Sequence, residues 1–217
     1  MHSLHHGVGV VVLFYLQKFR GTAGNFIQEV FPVNTSITTR RICEGAICVA
    51  LAIALSYLKI PIGASFGGFG GSVDLVMLPL IVYAMRWGCP WGVAAGFVFG
   101  TLKYFFAEGT AISWVSIIFD YSVAYAFVGF AGLLARHYRA LPLAAFLGCL
   151  ARFAVHYLSG VTVYAQYMPE EFLSFPMTSP AIYSLLYNGT YMLPNTVLAI
   201  ALSCLLIGAV QKLPKAE

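Results

Sequence analysis

The chain has 217 residues, 60% of them hydrophobic and only 9% charged, with a mean hydropathy of +0.83. Soluble domains carry about 25% charged residues, so an ordinary cytosolic enzyme is excluded, and so is a disordered chain, which needs the opposite bias. The net charge of +4 does not point to nucleic acid, because the basic residues stand singly or in pairs at the ends of apolar runs and form no stripe. The composition predicts an all-α, polytopic membrane protein, since six spans of ~20 apolar residues with short loops use up the length.

Residues 1–36 read as an N-terminal extension, distinct from a membrane domain over 37–217. The apolar run from Gly7 to Leu16 is too short to span and follows histidines rather than Lys or Arg. An interfacial segment, a degenerate signal and an upstream start all fit it, and it is given no function. From Arg40 the pattern becomes regular. Helices are expected over 41–58, 73–87, 91–106, 112–135, 141–166 and 181–211, with a Gly-rich loop at 63–72 and a break at Gly88-Cys89-Pro90.

Charge sets the expected topology. Lys18, Arg20, Arg40, Arg41, Arg86, Arg136, Arg139, Lys212 and Lys215 fall on one side, and Lys59 and Lys103, with Glu108, Glu170 and Glu171, on the other. The positive-inside rule then gives six transmembrane helices with both termini in the cytoplasm, N-in and C-in. The five cysteines show no CxxC pairing and read as small core residues, with no metal site. The glycines of 63–71 make no phosphate loop, because no Gly-Lys-Ser/Thr follows. Uphill transport would therefore draw its energy from an ion or a partner.

Two stripes of small residues recur at four-residue spacing, Ala46/Ala50/Ala54 and Gly92/Gly96/Gly100. Such stripes let another helix approach closely, either within the bundle or from a second subunit. Ionisable groups inside spans are more pointed, because each costs at least ~2.5 kcal/mol to insert and so needs a partner or a purpose. Asp74 opens the second expected helix, near the headgroups or as support for its first turn. Asp120 lies in the fourth, and Arg152 and His156 in the fifth.

Arg152, His156, Gly160 and Tyr164 are spaced by four and share a helix face. One reading is an Asp120–Arg152 ion pair joining two helices. The other is the polar wall of a cavity, with Gly160 making room for a flat ligand and Tyr164 stacking on it. Tyr183/Tyr187 and Ser184/Asn188 supply a matching wall on the sixth helix, where Asn188 offers both donor and acceptor. A carboxylate among aromatic faces suits an organic cation. No catalytic constellation stands out.

The stretches Gly70-Gly71-Ser72-Val73, Leu78-Pro79, Arg86-Trp87-Gly88, Asp120-Tyr121, Arg152 through His156 to Ser159-Gly160, and Tyr183-Ser184-Leu185-Leu186-Tyr187-Asn188 carry a resemblance. From about Arg40 to Lys215 the chain resembles the thiamine-specific substrate-binding subunits (ThiT) of bacterial energy-coupling factor transporters. The resemblance implies a six-helix protein of the bacterial cell membrane that captures thiamine from outside with high affinity. It is no enzyme and needs no cofactor of its own. ATP is used by its partners, a transmembrane coupling protein and two ATP-binding-cassette ATPases.

By the same resemblance, Asp120 faces the thiazolium ring with Tyr121 beside it, and Arg152, His156 and Gly160 form the adjoining wall. Tyr164 stacks on the ligand, Tyr183 and Asn188 meet the pyrimidine with Ser184 on the same turn, and residues 62–72, including Phe66, Phe69 and Gly70, form the closing loop. Ala46 and Ala50 fall on the docking motif for the coupling protein. Some relatives have Glu at Asp120, Lys at Arg152, Trp at Tyr164 and a Trp in the loop. The alternatives weighed are a subunit for another vitamin or a thiamine precursor, a proton-coupled secondary transporter and a membrane-embedded enzyme.

Overall fold

Apolar runs broken by Gly and Pro become six helices: α1 (Ile37–Ser56), α2 (Met77–Trp87), α3 (Cys89–Phe106), α4 (Trp114–Leu134), α5 (Leu141–Thr162) and α6 (Pro180–Gln211). The computed structural model describes residues 37–65, 70–107 and 109–213. Residues from Arg41 onward form one compact unit. α4, α5 (with the turn Tyr138–Ala140) and α6 are each long and apolar enough to cross a membrane.

The local reasons for the boundaries are visible. Gly88, at φ 91°, turns the chain between α2 and α3, and Pro90 occupies the first turn of α3, where no amide partner is lost. Ser113 caps α4 by accepting from Ser116 N–H, and Ser179 caps α6 by accepting from Ile182 N–H. α5 ends at Thr162, four residues earlier than its apolar pattern suggests, and a single 3-10 turn, Ala165–Tyr167, follows.

α2 departs most from expectation. It begins at Met77 rather than near residue 73, and its 11 residues reach only about 16 Å at 1.5 Å each. The segment before it folds back, with a single helical turn at Ile62–Ser65 and with Ile60 and Val73 exchanging backbone hydrogen bonds at 2.9 Å. Irregular backbone at membrane depth is tolerated only inside protein, and Asp74 and Val76 are accordingly buried. α2 is apolar on nearly every side and almost wholly buried, so it forms the centre of the bundle.

The glycine stripe of α3 is internal packing. A Cβ at Gly96 would fall 2.1 Å from the carbonyl oxygen of Tyr125, and one at Gly100 would fall 2.2 Å from that of Tyr121. Only glycine permits this approach of α3 to α4. Ala46 and Ala50 differ, being exposed on α1. α4 carries a π-helical stretch, Ile118–Val123, within it. A short hairpin, β1 (Glu171–Phe172) paired with β2 (Phe175–Pro176), precedes α6. Its turn residues Leu173 and Ser174 both have positive φ, without the Asn-Gly signature such turns usually show, which is why the sequence did not betray it.

Candidate functional site

A cavity of about 400 Å³ lies where α1 ends and α6 begins, between α3 to α6 and residues 59–61 and 70–72. Asp120, Tyr121, Arg152, His156, Gly160, Tyr164, Tyr183, Ser184 and Asn188 all line it, as does Gly70 of the expected closing loop. Phe66 and Phe69 lie outside the described residues.

Asp120 and Tyr121 are neighbours in sequence, which a regular helix would splay by about 100°. The π-helical stretch widens that turn of α4, and both side chains line the cavity. Tyr121 is then fixed by its hydroxyl, which accepts from Thr110 N–H at 2.7 Å and donates to Thr110 O at 3.0 Å. Asp120 pairs with His156, not with Arg152: His156 Nδ1 stands 3.3 Å from Asp120 Oδ1. Of the two readings, the Asp120–Arg152 zipper is not formed: Arg152 instead stacks on Tyr125, its Cζ 4.1 Å from the ring centroid and its Nη2 donating to the phenol at 3.0 Å.

The polar groups at the centre are incompletely satisfied within the protein. Asp120 Oδ2, His156 Nε2, and Arg152 Nε and Nη1 are buried and have no hydrogen-bond partner. Native interiors pair the great majority of such atoms, so a cluster of exceptions on one cavity wall is informative. The wall offers one acceptor on the Asp120 side and several donors on the Arg152 side.

Aromatic rings surround this cluster. Tyr183, Tyr187 and Tyr191, four apart on α6, follow one another at 5.7 and 6.1 Å between centroids and meet His156 at 6.0 Å. Phe172 of the hairpin packs edge-on against Tyr183 and Tyr187 at 5.4 and 5.9 Å, closing the row. Tyr164 lies just beyond α5, where burial first and Asp120 second push its hydroxyl above the usual range. The Tyr187 hydroxyl donates to Gly70 O, tying the loop to α6. Gly71, at φ 93°, lies so close to Tyr191 that a Cβ would be 2.5 Å from the ring.

Two expected roles look different in three dimensions. A Cβ on Gly160 would meet Ser184 Oγ at 2.2 Å, so this glycine admits α6 as well as facing the cavity. Asn188 donates to Ser184 O of its own helix at 2.9 Å and across to His156 O of α5 at 3.3 Å, while its oxygen accepts from Tyr191 at 2.5 Å. Residues missed by spacing are Tyr125, Tyr191 and Lys103. Tyr191 continues the i, i+4 row of Tyr183 and Tyr187, a signal that was available. Lys103, expected only as a charge on the outer side, is 7% exposed inside the bundle and pairs with Asp74 at 3.0 Å. Asp74 supports the start of α2 by accepting from Val76 N–H at 3.3 Å, and it does not sit among headgroups.

Known proteins match this chain over most of its length, with the N-terminal residues outside the family match. A family model described as thiamine transporter protein matches residues 42–215. The thiamine transporter ThiT of Bacillus subtilis (strain 168) is 30% identical over 203 residues, covering 85% of this chain and 99% of that one. ThiT of Lacticaseibacillus paracasei is 28% identical over 175 residues, covering 73% and 82% respectively. A solved structure of ThiT from Listeria monocytogenes superposes with a TM-score of 0.70 at 23% identity, over 82% of this chain and 98% of that one. That last likeness is one of fold.

Proposed function

This chain belongs to the thiamine transporter protein family, and from that premise we propose that it captures thiamine from outside the cell with high affinity and hands it to an energy-coupling module. As a member of that family with long apolar helices, it is a multi-pass protein of the bacterial cell membrane with a transport role. The proposal adds the ligand's seat, the six-span N-in/C-in topology and the partners, a transmembrane coupling protein and two ATP-binding-cassette ATPases.

The observation that carries it is the unpartnered Asp120 Oδ2 beside His156 in a cavity walled by tyrosines. Thiamine offers a cationic thiazolium ring and, across one methylene, an aminopyrimidine with ring-nitrogen acceptors. The first suits the carboxylate and the aromatic faces, and the second suits a wall of N–H donors. Binding would give each unsatisfied atom a partner in a site that excludes water. Ala46 and Ala50, exposed on α1, supply the small-residue face on which the coupling protein would dock.

Calorimetry on the detergent-purified protein tests the reading, with oxythiamine and pyridoxine as comparison ligands. Tryptophan quenching is poorly suited, because Trp87 and Trp91 flank Arg41 near the start of α1, at the opposite end from the cavity, and Trp114 is exposed. One-to-one, thiamine-selective binding is the expected result, and a well-folded sample that takes up no thiamine would refute it. For docking, Ala50→Trp should leave thiamine binding intact and abolish uptake in cells. Loss of binding in that variant would place Ala50 in the fold of the site instead.

A further inference from the structure

The cavity floor holds two buried cations, Lys103 and Arg152, 7% and 6% exposed, and both donate to one oxygen. Lys103 Nζ lies 2.6 Å from Tyr125 Oη, and Arg152 Nη2 lies 3.0 Å from it. The face of the Tyr125 ring also takes the Arg152 charge, 4.1 Å from its centroid. On its other side Lys103 meets Asp74 Oδ2 at 3.0 Å. Asp74 is held in turn: Ser72 Oγ donates to it at 3.1 Å, and its own N–H donates to Asn195 Oδ1 at 2.9 Å.

Like charges brought this close repel, and the low dielectric of the interior strengthens that repulsion. Asp74 offsets one positive charge, and the phenol oxygen and ring face of Tyr125 stabilise what remains. Tyr125 is itself immobile, 2% exposed and edge-on to Phe99 at 4.7 Å, with its backbone pressed against Gly96. It therefore fixes the Arg152 guanidinium through Nη2. The N–H groups on Nε and Nη1, which flank Nη2 on either side, have no partner in the protein.

We propose that Tyr125 is a positioning residue, and that Asp74, Lys103 and Tyr125 form a buried relay that aims the unpartnered N–H groups of Arg152 at the acceptor atoms of the bound solute. The relay starts at the root of the closing loop, in Ser72 and Asp74, and ends at the donor that meets the ligand. It rests on the reading of this cavity as the thiamine site. Its specificity lies in geometry: without Tyr125 Oη the guanidinium keeps its charge and loses its direction.

Tyr125→Phe tests it, because the ring and the Phe99 contact survive and only the hydroxyl is lost. Thiamine binding to the full-length protein in detergent is measured for wild type, Tyr125→Phe, Arg152→Met and the double variant. The expected result is a loss of about tenfold or more for Tyr125→Phe alone, shrinking to about twofold or less once Arg152 is Met. Equal losses in both backgrounds, or no loss in either, would overturn the relay. A thermal-unfolding cycle on the same four proteins without ligand reads the Tyr125–Arg152 contact independently. Non-additive shifts support the relay and additive ones overturn it. If wild type binds no thiamine, the proposed function fails, while the unfolding cycle still decides the relay.

Discussion

The two ends of the bundle handle buried charge in opposite ways. At the end where α2 finishes, Glu44 takes Arg86 Nε at 2.6 Å, Arg86 Nη2 at 3.2 Å and Trp87 Nε1 at 2.7 Å. Arg41 lies over the rings of Trp87 and Trp91 at 5.2 and 5.5 Å, and Tyr83 donates to the Arg41 carbonyl at 2.8 Å. At the other end Asp120, His156 and Arg152 each keep at least one buried atom without a partner. The first cluster is closed except at Arg41 Nε and holds α1 to α2. The second closes only when something else supplies the missing partners. A buried ion pair stabilises little, but breaking one is expensive, so the closed end should govern stability and the open end affinity.

Breaking the closed end should have the largest effect. Glu44→Ala leaves Arg86, whose side chain is 6% exposed, without its carboxylate, and should destabilise the protein by about 3–5 kcal/mol. Thermal unfolding checks this, and the folded fraction should still bind thiamine normally. Gly100→Ala comes next. Its Cβ would meet the Tyr121 carbonyl at 2.2 Å, and neither backbone can yield cheaply, so roughly 2–3 kcal/mol of stability should be lost. Because the strain falls on the π-helical stretch carrying Asp120 and Tyr121, affinity should fall too, joining the two regions that other variants separate.

Asp120→Asn sharpens the contrast. Thiamine affinity should drop by about 2 kcal/mol, roughly thirtyfold, from loss of a charge-assisted contact. Ligand-free stability should hold or rise, because a buried charge with an unpaired oxygen has been removed. Calorimetry and thermal unfolding on one sample read both, and a fall in both would show that Asp120 is structural like Glu44. Ser159→Ala should have the smallest effect. Its hydroxyl is buried without a hydrogen-bond partner, so the change should stay within about 0.5 kcal/mol in unfolding measurements.

The hydropathy pattern located all six helices, with errors confined to their ends. Where it erred, a tertiary contact decided. Apolar content at 73–76 looked helical, but the bridge to Ile60 and the Asp74–Lys103 pair keep that segment out of the helix. Residues 163–166 continued an apolar run, yet Tyr164 leaves the helix and still lines the cavity. Asp120, Arg152 and His156 were legible as site residues because ionisable groups are rare inside apolar helices. Tyr125 and Tyr191 were not singled out, since an aromatic ring in an apolar helix carries no such contrast.

What the sequence by itself determined is the set of rules that act along the chain. Composition made this a membrane protein, Gly and Pro divided it into helices, and the exclusion of charge from apolar interiors marked the few residues that needed a reason to be there. Pairing was decided only in three dimensions. Asp120 meets His156 instead of Arg152 because the π-helical stretch of α4, held against the glycines of α3, sets where its side chain points. Lys103 is a buried cation instead of a surface one because the chain before α2 folds back to place Asp74 beside it. Local propensity has a range of a few residues, whereas the electrostatic partner of a buried charge is chosen among all groups the fold brings within a few ångströms.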